Sequence, residues 1–162
     1  MPLRIGELLV KRGVITEAQR DEILAAQRRR ARPFGVLAEE MFGVRPEAVE
    51  EAWVEQYAGM AERISAPEIE PERRALLEVD RRQAWQFGLI PLSFDGDDLV
   101  VLSSDAMLVR ALRFAAWRIP AACRFVLTDE ETLREAVSVY YPMAGFDGNF
   151  MAEVDARALA QD

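Results

Sequence analysis

Apolar residues recur at helical spacing through the first sixty residues, and the pattern changes to short continuous apolar runs after residue 88. Ile5, Leu8, Leu9 and Val10 form an apolar stripe that stops near Gly13, a residue suited to a left-handed helix end. Thr16 followed by Gln19 is a capping-box pair, and it predicts a second helix that carries Ile23 and Leu24 inward. Phe34, Leu37, Met41 and Val44 repeat the first stripe. Pro46 then stands at a first helical turn, with Val49, Ala52, Trp53 and Gln56 behind it. This part of the chain therefore predicts two helical hairpins packed through their apolar faces.

Pro67 and Pro71 mark a connection, and "ERRALLEVDRRQAWQF" suggests one or two short helices ending at Gly88. "LIPLSF", "DGDD" and "LVVLSS" read as strand, tight turn and strand. "AMLVRALRFAAWR" is an amphipathic helix, "ACRFVLT" a strand, and "DEETLREAVSVYY" a helix with Thr128 as its N-cap and Glu131 completing the box. The expected class is α+β: four short helices in tandem hairpins over 1–60, then a small α/β module over 67–141 with a three-stranded sheet and flanking helices. Residues 142–162 read as a mobile tail or a short docked helix.

The hairpins resemble each other in sequence. At an offset of 29, Gly6 meets Gly35, Leu8 meets Leu37, Glu22 meets Glu51 and Gln27 meets Gln56. Ile5/Phe34, Ile15/Val44 and Leu24/Trp53 are apolar in both copies, which run Arg4 to Gln27 and Pro33 to Gln56 with "RRRAR" between them. A glycine inside a helix costs about 1 kcal/mol relative to alanine, so Gly6 and Gly35 need a reason: they punctuate helices, or they let something approach the backbone.

Composition narrows the chemistry. Of 162 residues, 51% are hydrophobic and 30% charged, a globular balance, and no run approaches the roughly 18 apolar residues of a membrane-spanning helix. The single cysteine, Cys123, permits no intrachain disulfide and reads as a buried small side chain in a strand; with no secretion signal, a cytoplasmic setting is expected. The absence of histidine excludes Ser/His/Asp and Cys/His catalysis and imidazole zinc sites. The only lysine, Lys11, belongs to no phosphate-binding P-loop. "DGDD" lacks calcium-loop spacing. No catalytic constellation and no metal site are expected. The net charge of -8 is uneven: residues 1–32 carry eight Lys/Arg against four acids, so the remainder carries -12. Such a chain suits a small anionic ligand better than a nucleic-acid polymer. Arg28 to Arg30 also suit a helix C-terminal end.

On these residues the chain resembles the N-terminal regulatory region of type II secretion and type IV pilus assembly ATPases, more narrowly the MshEN-type domain that binds cyclic di-GMP. The tandem motif, R-L-G-x-x-two apolars-x-x-G-two apolars-x4-L-x3-L-x2-Q, is matched in the first copy at Arg4, Ile5, Gly6, Leu9, Val10, Gly13, Val14, Ile15, Leu24 and Gln27, departing at Arg20 where an apolar residue is usual. The second copy keeps Phe34, Gly35, Ala38, Val44, Val49, Trp53 and Gln56, but has Glu39 for an apolar residue, and Phe42 for glycine with Gly43 one place later. The region from Pro67 to Tyr141, with "IPLSFDGDDLVVLSSD" and "YYP", is similar to the family's second module. The ATPase core is not in this sequence.

The resemblance implies a non-enzymatic module that binds cyclic di-GMP and signals to a secretion or pilus assembly protein, with no cofactor and no membrane insertion. The implied ligand residues are Arg4, Ile5, Gly6, Leu9, Val10, Gly13, Gln27, Arg32, Phe34, Gly35, Ala38 and Gln56. Arginine can fork a phosphate or lie against a purine, and the glycines would let backbone N–H groups reach ligand oxygens. Leu9, Val10 and Phe34 would cover guanine faces. Bland readings stand beside these: a helix stop for Gly13, core for Leu9, Val10, Phe34 and Trp53, and an interhelical bond for Gln27 and Gln56. The rival function is an adaptor that docks on the same machinery without nucleotide.

Overall fold

Helices start where the capping chemistry sits. In the computed structural model, which describes residues 4–145, Thr16 Oγ1 accepts from the Gln19 N–H at 3.1 Å while the Gln19 side chain accepts from the Thr16 N–H at 2.9 Å. The chain divides into two compact units, Met1–Met60 and Ala61–Asp162. Of the expected tail, residues 146–162 lie outside the described residues. The architecture is α+β, with helices first and a small sheet module after them.

The first unit holds α1 (Ile5–Lys11), α2 (Glu17–Arg29), α3 (Phe34–Phe42) and α4 (Pro46–Met60). Its core obeys the repeat: Leu8 and Leu37, Leu9 and Ala38, Ile15 and Val44, and Ile23 and Ala52 are all buried together. Leu24 does not join them. Successive helix residues are about 100° apart, so the stripe that buries Ile23 and Ala52 turns their neighbours outward, leaving Leu24 38% and Trp53 46% exposed. The inward placement of Leu24 and the core reading of Trp53 are thus corrected by the same rotation.

Both first helices of the hairpins end in a left-handed glycine, by different routes. Gly13 (φ 71°) follows α1 by two residues, whereas Gly43 (φ 64°) follows α3 directly, with Phe42 as the last helical residue. The copies regain register at once: the Ile15 N–H donates to Leu9 O at 3.4 Å, and its counterpart Val44 donates to Ala38 O at 3.4 Å.

In the second unit α5 (Arg73–Leu76) and α6 (Arg81–Phe87) lead to β1 (Ile90–Asp95), β2 (Asp98–Ser104), α7 (Leu108–Arg118), β3 (Cys123–Thr128) and α8 (Glu130–Tyr140). The sheet order is β1-β2-β3, with the first pair antiparallel and the second parallel. The central strand β2 is buried along almost its whole length. Pro91 sits in the edge strand β1, beside a register shift between Pro91 and Ser93, where a missing N–H costs least. Ahead of the connection marked by Pro67 and Pro71, residues 62–64 bridge to β3: the Ile64 N–H donates to Leu127 O and the Leu127 N–H to Glu62 O, both at 2.9 Å.

Two sequence expectations are adjusted here. The cap of α8 is Asp129, whose carboxylate accepts from the Thr132 N–H at 2.8 Å, a contact that holds its pKa below the usual carboxylate range. Thr128 instead closes β3 opposite Ser104. Cys123 is half-buried, and desolvation raises its thiol pKa. The "YY" pair closes the unit: Tyr141 Oη donates to Leu76 O at 2.7 Å, its carbonyl accepts from Trp85 Nε1 at 2.7 Å, and burial pushes its hydroxyl pKa up.

Candidate functional site

The first unit carries a cavity of about 560 Å³ lined by Arg4, Ile5, Gly6, Glu7, Arg20, Asp21, Leu24, Gln27, Phe34 and Gln56. Its size falls within the roughly 300–1,000 Å³ of small-molecule sites. Each wall has a local cause. The start of α1 presents residues 4–7. On α2, Arg20, Leu24 and Gln27 share one face by i, i+4, i+7 spacing, so the residue turned out of the core becomes a pocket wall. Phe34 is the first residue of α3, and Gln56 comes from the last turns of α4.

The two repeated glycines are needed by their neighbours. A Cβ on Gly6 would lie 2.9 Å from Phe34 Cζ and 3.3 Å from Arg20 Cγ, and one on Gly35 would lie 2.5 Å from Val49 Cγ1. Arg20 and Val49 occupy the same place in the repeat, so in both hairpins the missing side chain admits the partner helix. Of the two readings of these glycines, close approach to the backbone is the one the structure supports, and what approaches is the protein itself.

Charges in the pocket are two and two. The Arg4 backbone N–H donates to Glu7 Oε2 at 3.0 Å. Arg20 reaches Asp21 Oδ1 from Nε at 3.4 Å and from Nη2 at 3.3 Å, both long. The Gln27 side-chain amide donates to Arg32 O at 3.1 Å. The result is a concave site with guanidinium groups, apolar walls and two amides, suited to a flat heterocycle carrying phosphate.

Of the twelve residues expected at a ligand site, six meet here: Arg4, Ile5, Gly6, Gln27, Phe34 and Gln56. Leu9 and Ala38 are wholly buried in the core, Val10 packs against it, and Gly35 is buried beneath Val49. Gly13 forms the left-handed turn, and Arg32 is held by Glu40 at 2.7 Å. Four lining residues were not expected: Glu7, Arg20, Asp21 and Leu24. The signal for three of them was the α2 face that Gln27 shares with positions 20 and 24, with Asp21 at its edge; Arg20 had registered only as a departure from a motif.

Compared with family models, residues 59–146 match the MshEN domain, a span of more than half the chain that lies mostly on the sheet unit. The chain belongs to the MshEN domain family. Among solved structures, MshEN-like similarity extends to MshE with cdg, at 22% identity and a TM-score of 0.47, covering 86% of this chain and 99% of that one. It extends also to the N-terminal domain of XpsE, at 15% identity and a TM-score of 0.46, covering 85% of this chain and 94% of that one. No significant match was found among curated proteins. In this MshEN chain, no helix of the described residues is long and apolar enough to cross a membrane. No group of three or more His, Cys, Asp or Glu among them could hold a metal ion.

Proposed function

We propose that this MshEN chain is a non-enzymatic regulatory module that binds cyclic di-GMP in the cavity of its tandem hairpins and signals to a secretion or pilus assembly protein. The observation that carries the reading is the shared lining: both copies of the repeat contribute to one cavity, the first through Arg4, Ile5, Gly6 and Gln27 and the second through Phe34 and Gln56. Cyclic di-GMP has two guanines and two phosphates, so it asks for flat apolar walls, amides for base edges and a cation that forks phosphate. The cavity offers all three. Its carboxylates, Glu7 and Asp21, lie beside arginines, with no nucleophile and base arranged for turnover among the lining residues.

Calorimetric titration with cyclic di-GMP tests the proposal. Binding at micromolar concentrations or tighter is expected, and Arg4→Ala should weaken it at least about 10-fold, because a charge-assisted contact is lost without touching the core. Absence of heat at about 1 mM ligand, with protein that melts cooperatively, would overturn the nucleotide reading in favour of a nucleotide-independent adaptor docked on the same class of partner.

A further inference from the structure

The cavity contains a cation that neither copy of the motif calls for. Arg20 stands where the motif has an apolar residue and where the second hairpin has Val49, yet it lies on the pocket face of α2 with Leu24 and Gln27. Its stem is seated: Cγ lies where a Cβ on Gly6 would approach it at 3.3 Å, and only 29% of the side chain is exposed. Its head is poorly held. Among the described residues its ion pair is with Asp21, the next residue along the helix. Adjacent residues leave a helix about 100° apart, so this pair cannot adopt the parallel two-bond geometry of arginine with carboxylate. Nε and Nη2 instead converge on the single oxygen Oδ1 at 3.4 and 3.3 Å.

We infer that Arg20 is a phosphate-binding residue of this pocket, parked on Asp21 in the free protein and transferred to a phosphate of the bound purine dinucleotide. The inference rests on the ligand reading above. A guanidinium has five N–H donors, and the Asp21 contact engages two of them at long distance. A phosphate entering the cavity can be met by two parallel bonds from the same fork, a stronger arrangement than the one it replaces. Asp21 then acts against the ligand twice, by competing for Arg20 and by repelling phosphate. All the pocket's charged residues, the arginines Arg4 and Arg20 and the acids Glu7 and Asp21, belong to the first hairpin, while the second brings Phe34 and Gln56. Phosphate is held on the first-hairpin side, and the second copy supplies contacts to the bases.

Calorimetric titration of the full chain with cyclic di-GMP, at two salt concentrations, separates the outcomes. Arg20→Met keeps the packed stem and removes the charge, and should weaken binding about 10- to 100-fold and flatten its dependence on salt. Asp21→Asn should tighten binding, by up to about fivefold, because an exposed ion pair of this kind is weak. In Arg20→Met/Asp21→Asn the competition part of that gain disappears. A merely structural Arg20 would change the melting temperature but leave the Asp21→Asn gain and the salt dependence unmoved. If the wild type binds and Arg20→Met binds within twofold of it, or if Asp21→Asn weakens binding, the inference is overturned while the ligand reading stands. A folded wild type that gives no heat at about 1 mM overturns both.

Discussion

The two hairpins share a core and differ in what they bring to its surface. Leu8/Leu37, Leu9/Ala38, Ile15/Val44 and Ile23/Ala52 are buried at equivalent places, and each hairpin has a glycine that lets its second helix close on its first. The surface positions diverge: Arg20 faces Val49, Leu24 faces Trp53, and Arg12, which joins α1 to Glu51 at 3.1 Å and Glu55 at 2.7 Å, faces Met41. Packing constrains residues on the inside of the repeat more tightly than those on its outside. The inside residues hold the hairpins together, and outside ones such as Arg20 give the shared cavity a charged side.

The comparison is broken most severely from within. Leu9→Ala gives the first hairpin the residue that the second has at Ala38, but not the larger Phe34 that accompanies it there. Leu9 is wholly buried, so a cost of about 2–5 kcal/mol is expected, read as a fall in the urea midpoint with little change in slope. An unchanged midpoint would show that the two positions are interchangeable and the repeat symmetric in its packing.

Alanine at the two glycines sharpens the same contrast at smaller cost. At Gly35 the new methyl meets Val49 at 2.5 Å, and a β-branched side chain on a helix has little freedom to move, so about 1–3 kcal/mol should be lost. At Gly6 the obstacles are the end of the Phe34 ring and the Arg20 stem. Both are side-chain atoms of residues that line the cavity, and alanine in the first turn returns part of the roughly 1 kcal/mol of helix propensity. Gly6→Ala should therefore melt close to the wild type while losing cyclic di-GMP binding, and Gly35→Ala should do the reverse. Equal melting losses in both would remove the functional distinction between the copies.

Much of this was legible because the repeat multiplies a weak signal. One glycine in one helix says little, but Gly6 and Gly35 at equivalent places, each ahead of a capping or first-turn residue, define two hairpins. Burial between adjacent apolar residues was not legible: Ile23 and Leu24 are both apolar, and only packing decides which of two positions 100° apart enters the core. Arg20 was visible as a misfit, and misfits acquire meaning only when their neighbours are known. In the sheet unit the strands were plain from their apolar runs. The pairing of 62–64 with β3 was not, because a two-bond bridge needs no apolar pattern of its own. Thr128 and Asp129 are both good caps, and Thr128 is taken by the strand.

The smallest effect separates the two glutamines, which share a place in the repeat and in the cavity but not a bonding state. Gln27 Nε2 donates to Arg32 O and so fastens the end of α2 to the linker that leads into α3. Gln56 has no such bond among the described residues, so its whole amide is available to a ligand. Removing a net hydrogen bond costs about 0.5–1.5 kcal/mol, so Gln27→Ala should lower stability by that amount and Gln56→Ala by less than about 0.5 kcal/mol. Binding should reverse the order, because Gln56 can turn its carbonyl and both N–H donors to fit a base edge, whereas Gln27 has one N–H engaged by Arg32 O and its amide plane fixed by that bond. Thermal melts and titrations of the same two variants measure both quantities. If Gln56→Ala costs as much stability as Gln27→Ala and no affinity, the second hairpin contributes structure rather than recognition, and the cavity belongs to the first copy alone.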